Sequence, residues 1–181
     1  VINRFLSQPI LSTTQLIDEI IERLQNKNFF PTSQISDIKE VVEEEISSLH
    51  SEAYTQLISK LIKETVSIDK DTSKNSSFFL YGLASIDKED INVIIQEKII
   101  QEKSDDVNYH LLILGLISCN GKLFTGLTKA SIKRFKYIFR ERVDEVKASV
   151  SDSSLSHPVS VYVSLQRILS DAQLVDTFKS E

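Results

Sequence analysis

The chain has 181 residues, 41% of them hydrophobic and 26% charged, with a formal net charge of −5. That composition excludes global disorder and supplies enough apolar mass for a sizeable core, in one domain or at most two. No apolar run approaches the ~20 residues a bilayer-spanning helix needs, so no membrane insertion is expected. The single cysteine, Cys119, excludes an internal disulfide framework and fits a reducing, intracellular setting.

Four glycines and three prolines leave few tight turns, which argues against a sandwich or barrel built of hairpins. Methionine is absent and the chain opens on "VINRF", so it is expected to be a fragment whose native start lies upstream.

Taken in chain order, the apolar residues recur at helical spacing. In "STTQLIDEIIERLQNKN" the stripe is Leu16, Ile17, Ile20, Ile21 and Leu24, with Thr13 or Thr14 expected as the cap. Pro31 in "FFPTS" ends that helix because it lacks the donor to continue it. From Gln34 to Val66 the stripe Ile38, Val42, Ile46, Leu49, Ala53, Leu57 and Leu61 meets no glycine or proline. One long helix or two abutting helices fit it equally. Residues 67–77, "SIDKDTSKNSS", have linker composition. Shorter helices follow: "SFFLYGLASI", "KEDINVIIQEKIIQEK", "DDVNYHLLILGLIS", "KASIKRFKYIFRERVDEVKASV" and "PVSVYVSLQRILSD". Asp87 and Asp90 read as a capping pair, Ser156 before Pro158 as a start signal, and Asn120 with Gly121 as a stop. No strand alternation survives. The expected organisation is a long-helix pair over 1–66, a polar linker over 67–77 and an array over 78–181, all within one continuous domain or divided at the linker.

One phrase occurs twice. "LYGLASIDK" and "ILGLISCNGK" place Gly82, Leu83 and Ser85 opposite Gly115, Leu116 and Ser118, thirty-three positions later. Glycine inside a helix costs about 1 kcal/mol relative to alanine, so both glycines are expected where another group comes close. The second copy is apolar on nearly every side, which fits a helix covered by neighbours on several flanks.

"SDDVNYHLLILGLISCNG" resembles the first helix of a HEAT or armadillo-type repeat: acids before Val107, Leu112 and Leu114 at core spacing, Gly115, Ile117 and a glycine stop. The resemblance spans about residues 76–171, with "HPVSVYVSLQRILSD" as a looser third copy, and it lacks the usual proline before Val107. It implies stacked helix pairs, each burying its face against the next, that serve as a protein-interaction scaffold. It brings no catalytic residue. The fold class expected is all-α: stacked antiparallel helices, as an α-solenoid or an irregular bundle.

Residues of chemical interest are few. His50, His110 and His157 stand without a second histidine at helical spacing, and structural roles are expected for all three. Cys119 falls at a helix C-terminus, where the dipole opposes a thiolate. No metal motif, Walker-type phosphate loop or GxSxG elbow occurs, so no catalytic residue, metal or cofactor is expected. "CNGKLFTG" has the wrong spacing for a phosphate loop, and "NSS" at Asn75 is a sequon expected to be fortuitous.

Charge is more informative. Residues 129–142 hold six basic residues and one acid, a net of +5 in a chain of −5, so the remainder carries −10. Lys129, Lys133, Lys136, Arg140 and Lys147 share one helical stripe. In "SDIKEVVEEEISSLHSE", Asp37, Glu40, Glu43, Glu44, Glu45 and Glu52 oppose only Lys39. The expected partner-binding residues are those five cations, with Glu43, Glu44 and Glu45 on the acidic side. The expected function is non-catalytic protein–protein interaction, as a scaffold or adaptor subunit. The alternatives are a small acidic inhibitor or immunity protein that neutralises a basic toxin or nuclease, and nucleic-acid binding through residues 129–147.

Overall fold

The computed structural model describes residues 12–26, 34–47, 49–66, 69–102, 107–125, 141–152 and 157–170, and they are all-helical, with no strand. The helices are α1 (Thr13–Asn26), α2 (Ile35–Ile46), α3 (Ser51–Glu64), α4 (Lys70–Ile86), α5 (Glu89–Gln101), α6 (Val107–Cys119), α7 (Lys122–Thr125), α8 (Val143–Asp152) and α9 (Val159–Ser170).

Local chemistry explains where they start. Ser12, rather than Thr13 or Thr14, caps α1: its Oγ accepts from Gln15 N (3.2 Å), and Gln15 Oε1 accepts from Ser12 N (2.9 Å). This reciprocal pair satisfies two donors that a helix start leaves open. The stripe from Gln34 to Val66 divides into two helices, α2 and α3. Ser47 Oγ donates back to the Glu44 carbonyl (2.7 Å), and the chain turns before α3 begins at Ser51. α8 begins at Val143 after a bend at Arg142, where one unbroken helix from Lys129 was expected.

The segment expected to be a polar linker is helical from Lys70 onward. Its hydroxyls are used within the fold. Thr72 donates to the Asp69 carboxylate (3.0 Å), Ser73 to the Thr65 carbonyl that ends α3 (2.6 Å), and Ser77 to the Ser73 carbonyl (2.9 Å). Asn75, Ser76 and Ser77 are buried. The polar letters that read as linker are the first turns of the most enclosed helix among those described.

That helix, α4, touches α1, α2 and α3 before it and α5 and α6 after it. Phe78, Phe79, Leu80, Tyr81, Leu83 and Ala84 are all buried, so every side of its second half is covered. α6 has the same role further on, against α4, α7, α8 and α9. Leu111, Leu112, Ile113, Leu114 and Leu116 are buried on successive faces, each removal from water stabilising by ~1.5–3 kcal/mol. Among the described helices, the main contacts join elements no more than three places apart in chain order.

Both glycines of the doubled phrase are close-approach points. A Cβ on Gly82 would lie 2.6 Å from Val42 Cγ2, 3.1 Å from Ile38 Cγ2 and 3.3 Å from the Ile38 carbonyl, so α2 seats directly on α4 there. A Cβ on Gly115 would lie 2.6–2.8 Å from Cε1, Oη and Cζ of Tyr81, whose ring fills the notch between α4 and α6. Ser85 and Ser118, at matching positions, donate to the carbonyls of Tyr81 (2.8 Å) and Gly115 (2.6 Å).

Candidate functional site

α2 is anchored by Ile38, Val42 and Ile46, and its opposite side carries the acidic residues. Asp37, Glu40 and Glu44 are exposed at spacings of three and four, one above another on the helix surface. Glu43 lies beside them with its side chain 51% exposed, 3.8 Å from Lys39. Glu45 faces the other way: only 12% of its side chain is exposed, and it accepts from Arg23 Nε of α1 at 3.0 Å. Arg23 also approaches Glu19 (3.9 Å), and Lys60 of α3 is paired with Asp18 of α1. The three expected acidic contacts therefore divide. Glu43 and Glu44 form part of a solvent ridge, while Glu45 fastens α1 to α2. Glu52 is exposed at the start of α3.

Of the basic stripe, Lys147 is exposed on α8, whose inner residue is Val146. At the bend before that helix, Arg142 donates to Glu145 from Nη2 (2.6 Å) and Nε (3.1 Å), which lowers the Glu145 carboxyl from its ordinary range. Lys129, Lys133, Lys136 and Arg140 lie outside the described residues.

The titratable groups of the interior are placed by packing. His110 is buried on α6 in an edge-on contact with Tyr109, ring centroids 5.8 Å apart. Tyr109 Oη donates to the Ile99 carbonyl (3.2 Å), tying α6 to α5. Cys119 is half-buried, and desolvation pushes its thiol up to about 11 against the smaller opposing effect of the neighbouring Ser85 and Ser118 hydroxyls. At neutral pH it is a thiol. His157 is buried immediately before α9 with Nδ1 2.7 Å from Tyr81 Oη, and desolvation lowers it to about 4. Burial raises the Tyr81 phenol well above its ordinary value. His50 is exposed and precedes α3 without a side-chain capping bond. Asn75 of the sequon is buried inside α4. Among the described residues no three His, Cys, Asp or Glu side chains converge as metal ligands, and no helix is long and apolar enough to cross a membrane.

One constellation was not anticipated from the sequence. Asp87, between α4 and α5, has φ 55°, a left-handed conformation that Asp tolerates better than most non-glycine residues. It does not cap α5 as expected; the cap position is Lys88, without a side-chain bond. Asp87 Oδ1 instead accepts from Asn92 Nδ2 (2.9 Å) and Asn120 Nδ2 (3.1 Å), and Oδ2 accepts from Lys122 Nζ (2.8 Å). These donors, Lys122 and Asn92 foremost, hold the Asp87 carboxyl below its ordinary range and the Lys122 ammonium above its own. Asn120 Nδ2 also donates to Asn92 Oδ1 (3.1 Å), and its Oδ1 accepts from Lys122 N (3.1 Å), starting α7. Gln96 Nε2 reaches the carbonyls of Lys122 (3.2 Å) and Leu123 (3.1 Å). Lys122, the lysine of the phosphate-loop lookalike, is thus engaged by a carboxylate. Gly121 keeps a negative φ and open space around it, so Asn120 provides the stop by side-chain bonding. The signal was present in the doubled phrase: Asp87 and Asn120 occupy the same place in its two copies.

No family model, curated protein or solved structure matches the chain.

Proposed function

We propose that this chain is a non-catalytic protein-interaction domain, a stacked-helix scaffold or adaptor unit, which meets a basic protein surface along the outer side of α2. The observation that carries the reading is the ridge of Asp37, Glu40, Glu43 and Glu44, exposed on a helix whose other side is seated on α4. Carboxylates fixed in a row on a rigid helix set a local potential that steers and orients a cationic partner without costing loop order. The doubled glycine phrase supports the scaffold part of the reading. Each copy receives the preceding layer at the same helical position, as stacked units require.

The test is affinity capture with the full chain, with and without nuclease, comparing wild type with Glu40→Lys/Glu44→Lys at matched thermal stability. A stoichiometric protein partner retained by wild type and lost by the charge-reversed chain is the expected result. A partner retained equally by both would remove the α2 ridge from the proposal. If the partner is a basic toxin-like enzyme, the chain acts as its inhibitor. Recovery that depends on intact nucleic acid and falls steeply with salt would move the function to the basic segment that includes Lys147.

A further inference from the structure

We propose that α9 is an acid-released helix, held closed by the buried Tyr81–His157 hydrogen bond and freed when His157 takes up a proton.

His157 stands one residue before Pro158, whose carbonyl accepts the first-turn bond from Tyr162 N (2.9 Å), so its position and the first turn of α9 move together. Its ring lies 5.8 Å from that of Tyr81, centroid to centroid, and Nδ1 is 2.7 Å from the phenol oxygen. Tyr81 cannot follow it outward, because its own ring is fully buried and wedged into the Gly115 notch. The contact therefore joins a movable element to a fixed one.

Among the described residues, no charged side chain is placed to accept an imidazolium there. Titratable groups on the elements packed here include Tyr81 from α4 and, on α6, Cys119 beside Tyr81 and the buried His110 and Tyr109; the phenols and the thiol are neutral in acid and offer no negative charge. The charged side chains described on the neighbouring elements are Asp144, Glu145 and Lys147 of α8 and Arg167 of α9, all exposed. The cause of the His157 lowering is burial. A buried cation without a counter-charge is strongly disfavoured. The available relief is to carry His157 into water, and the first turn of α9 goes with it.

The rest of α9 offers limited resistance. Val161 and Leu165 face inward, while Val159 and Val163 are about half exposed. Its main described contacts are with α6 and α8, whereas α4 is covered by helices from both directions. Elements with fewer buried contacts open first. Release would uncover Val161, Leu165 and the flank of α6, an apolar face presented in acid and hidden at neutral pH.

The experiment is amide hydrogen exchange on the full chain from pH 8 to pH 4.5, corrected for intrinsic rates, with the His157 imidazole followed by NMR. An ordinary value of 6.5 against about 4 in the closed state gives a rise in the open population on the order of 100-fold by pH 4.5. That rise is expected in the amides of 161–165, with those of 78–83 still protected, and it is expected to disappear in His157→Gln. Simultaneous loss of protection in α4 and α9 would overturn the proposal, as would an α9 indifferent to pH or a rise unchanged in the glutamine variant. Should that variant not fold, the α9-to-α4 contrast and the imidazole titration of the wild-type chain decide the matter.

Discussion

The Gly82 and Gly115 notches are written in nearly the same letters and filled in different ways. At Gly82 the incoming groups are the short, branched side chains of Ile38 and Val42, with a backbone carbonyl close behind. At Gly115 the incoming group is one large aromatic ring whose polar end is bonded to His157. The first notch is lined by apolar side chains and a backbone carbonyl, with no titratable group, so its strength does not depend on protonation. The second combines shape with a buried polar bond, so it specifies one arrangement more narrowly and becomes sensitive to acid. A repeated phrase thus fixes where helices approach, while the residue arriving from the neighbouring helix decides what kind of joint results.

Substitutions can break that contrast, starting with the largest expected effect. Gly115→Leu should lower unfolding free energy by about 3 kcal/mol in urea denaturation, because the ring it displaces is buried and bonded and cannot swing away. A loss under about 0.5 kcal/mol would mean that Tyr81 has room to move and that the two notches are not tight in the same sense. Tyr81→Phe should cost about 1–2 kcal/mol, since it leaves the His157 nitrogen buried without its partner. Gly82→Ala should cost about 1 kcal/mol, overpacking against Val42 being partly offset by the better helix propensity of alanine. Its cost should be the same at pH 7.5 and pH 5. Wild-type stability itself should fall as pH drops from 6.5 towards 4, because over that window the unfolded chain binds a proton at His157 that the folded chain refuses. A thermal unfolding series over that range, with His157→Gln as the reference, isolates this contribution. Gly121→Ala should be neutral within about 0.5 kcal/mol, since nothing meets its Cβ and its φ is negative.

Much of the architecture was legible because it rests on periodic burial. Ile38, Val42 and Ile46, or Leu57, Ile58, Leu61 and Ile62, announce a helix and its inner face before any contact is known. The two glycines were legible for a related reason: a helix tolerates glycine where alanine would not fit. The beginning of α4 was not legible, because Lys70–Ser77 carries no apolar stripe. Its hydroxyls bond to carbonyls at the end of α3 and within the preceding turn, and composition does not reveal those partners. The division between α2 and α3 was ambiguous for want of a glycine or proline at Ser47–His50. On the surface, charge pattern alone placed Glu43, Glu44 and Glu45 together. Their separation depends on Arg23, twenty-two residues upstream of Glu45. The Asp87 cluster required seeing that the doubled phrase continues past its apolar part, into residues that read as ordinary turn formers.

The bond from Asn120 to Asp87 makes the chain between them a ruler. One residue inserted within α6 ahead of Gly115 would turn the rest of that helix by about 100° around its axis. Asn120 would then miss Asp87, Lys122 would lose its carboxylate, and Gly115 or Leu116 would meet the wrong side of α4. Length changes inside α6 are therefore far less tolerable than most single substitutions, because hydrogen-bond register as well as hydrophobic pattern fixes where this helix ends.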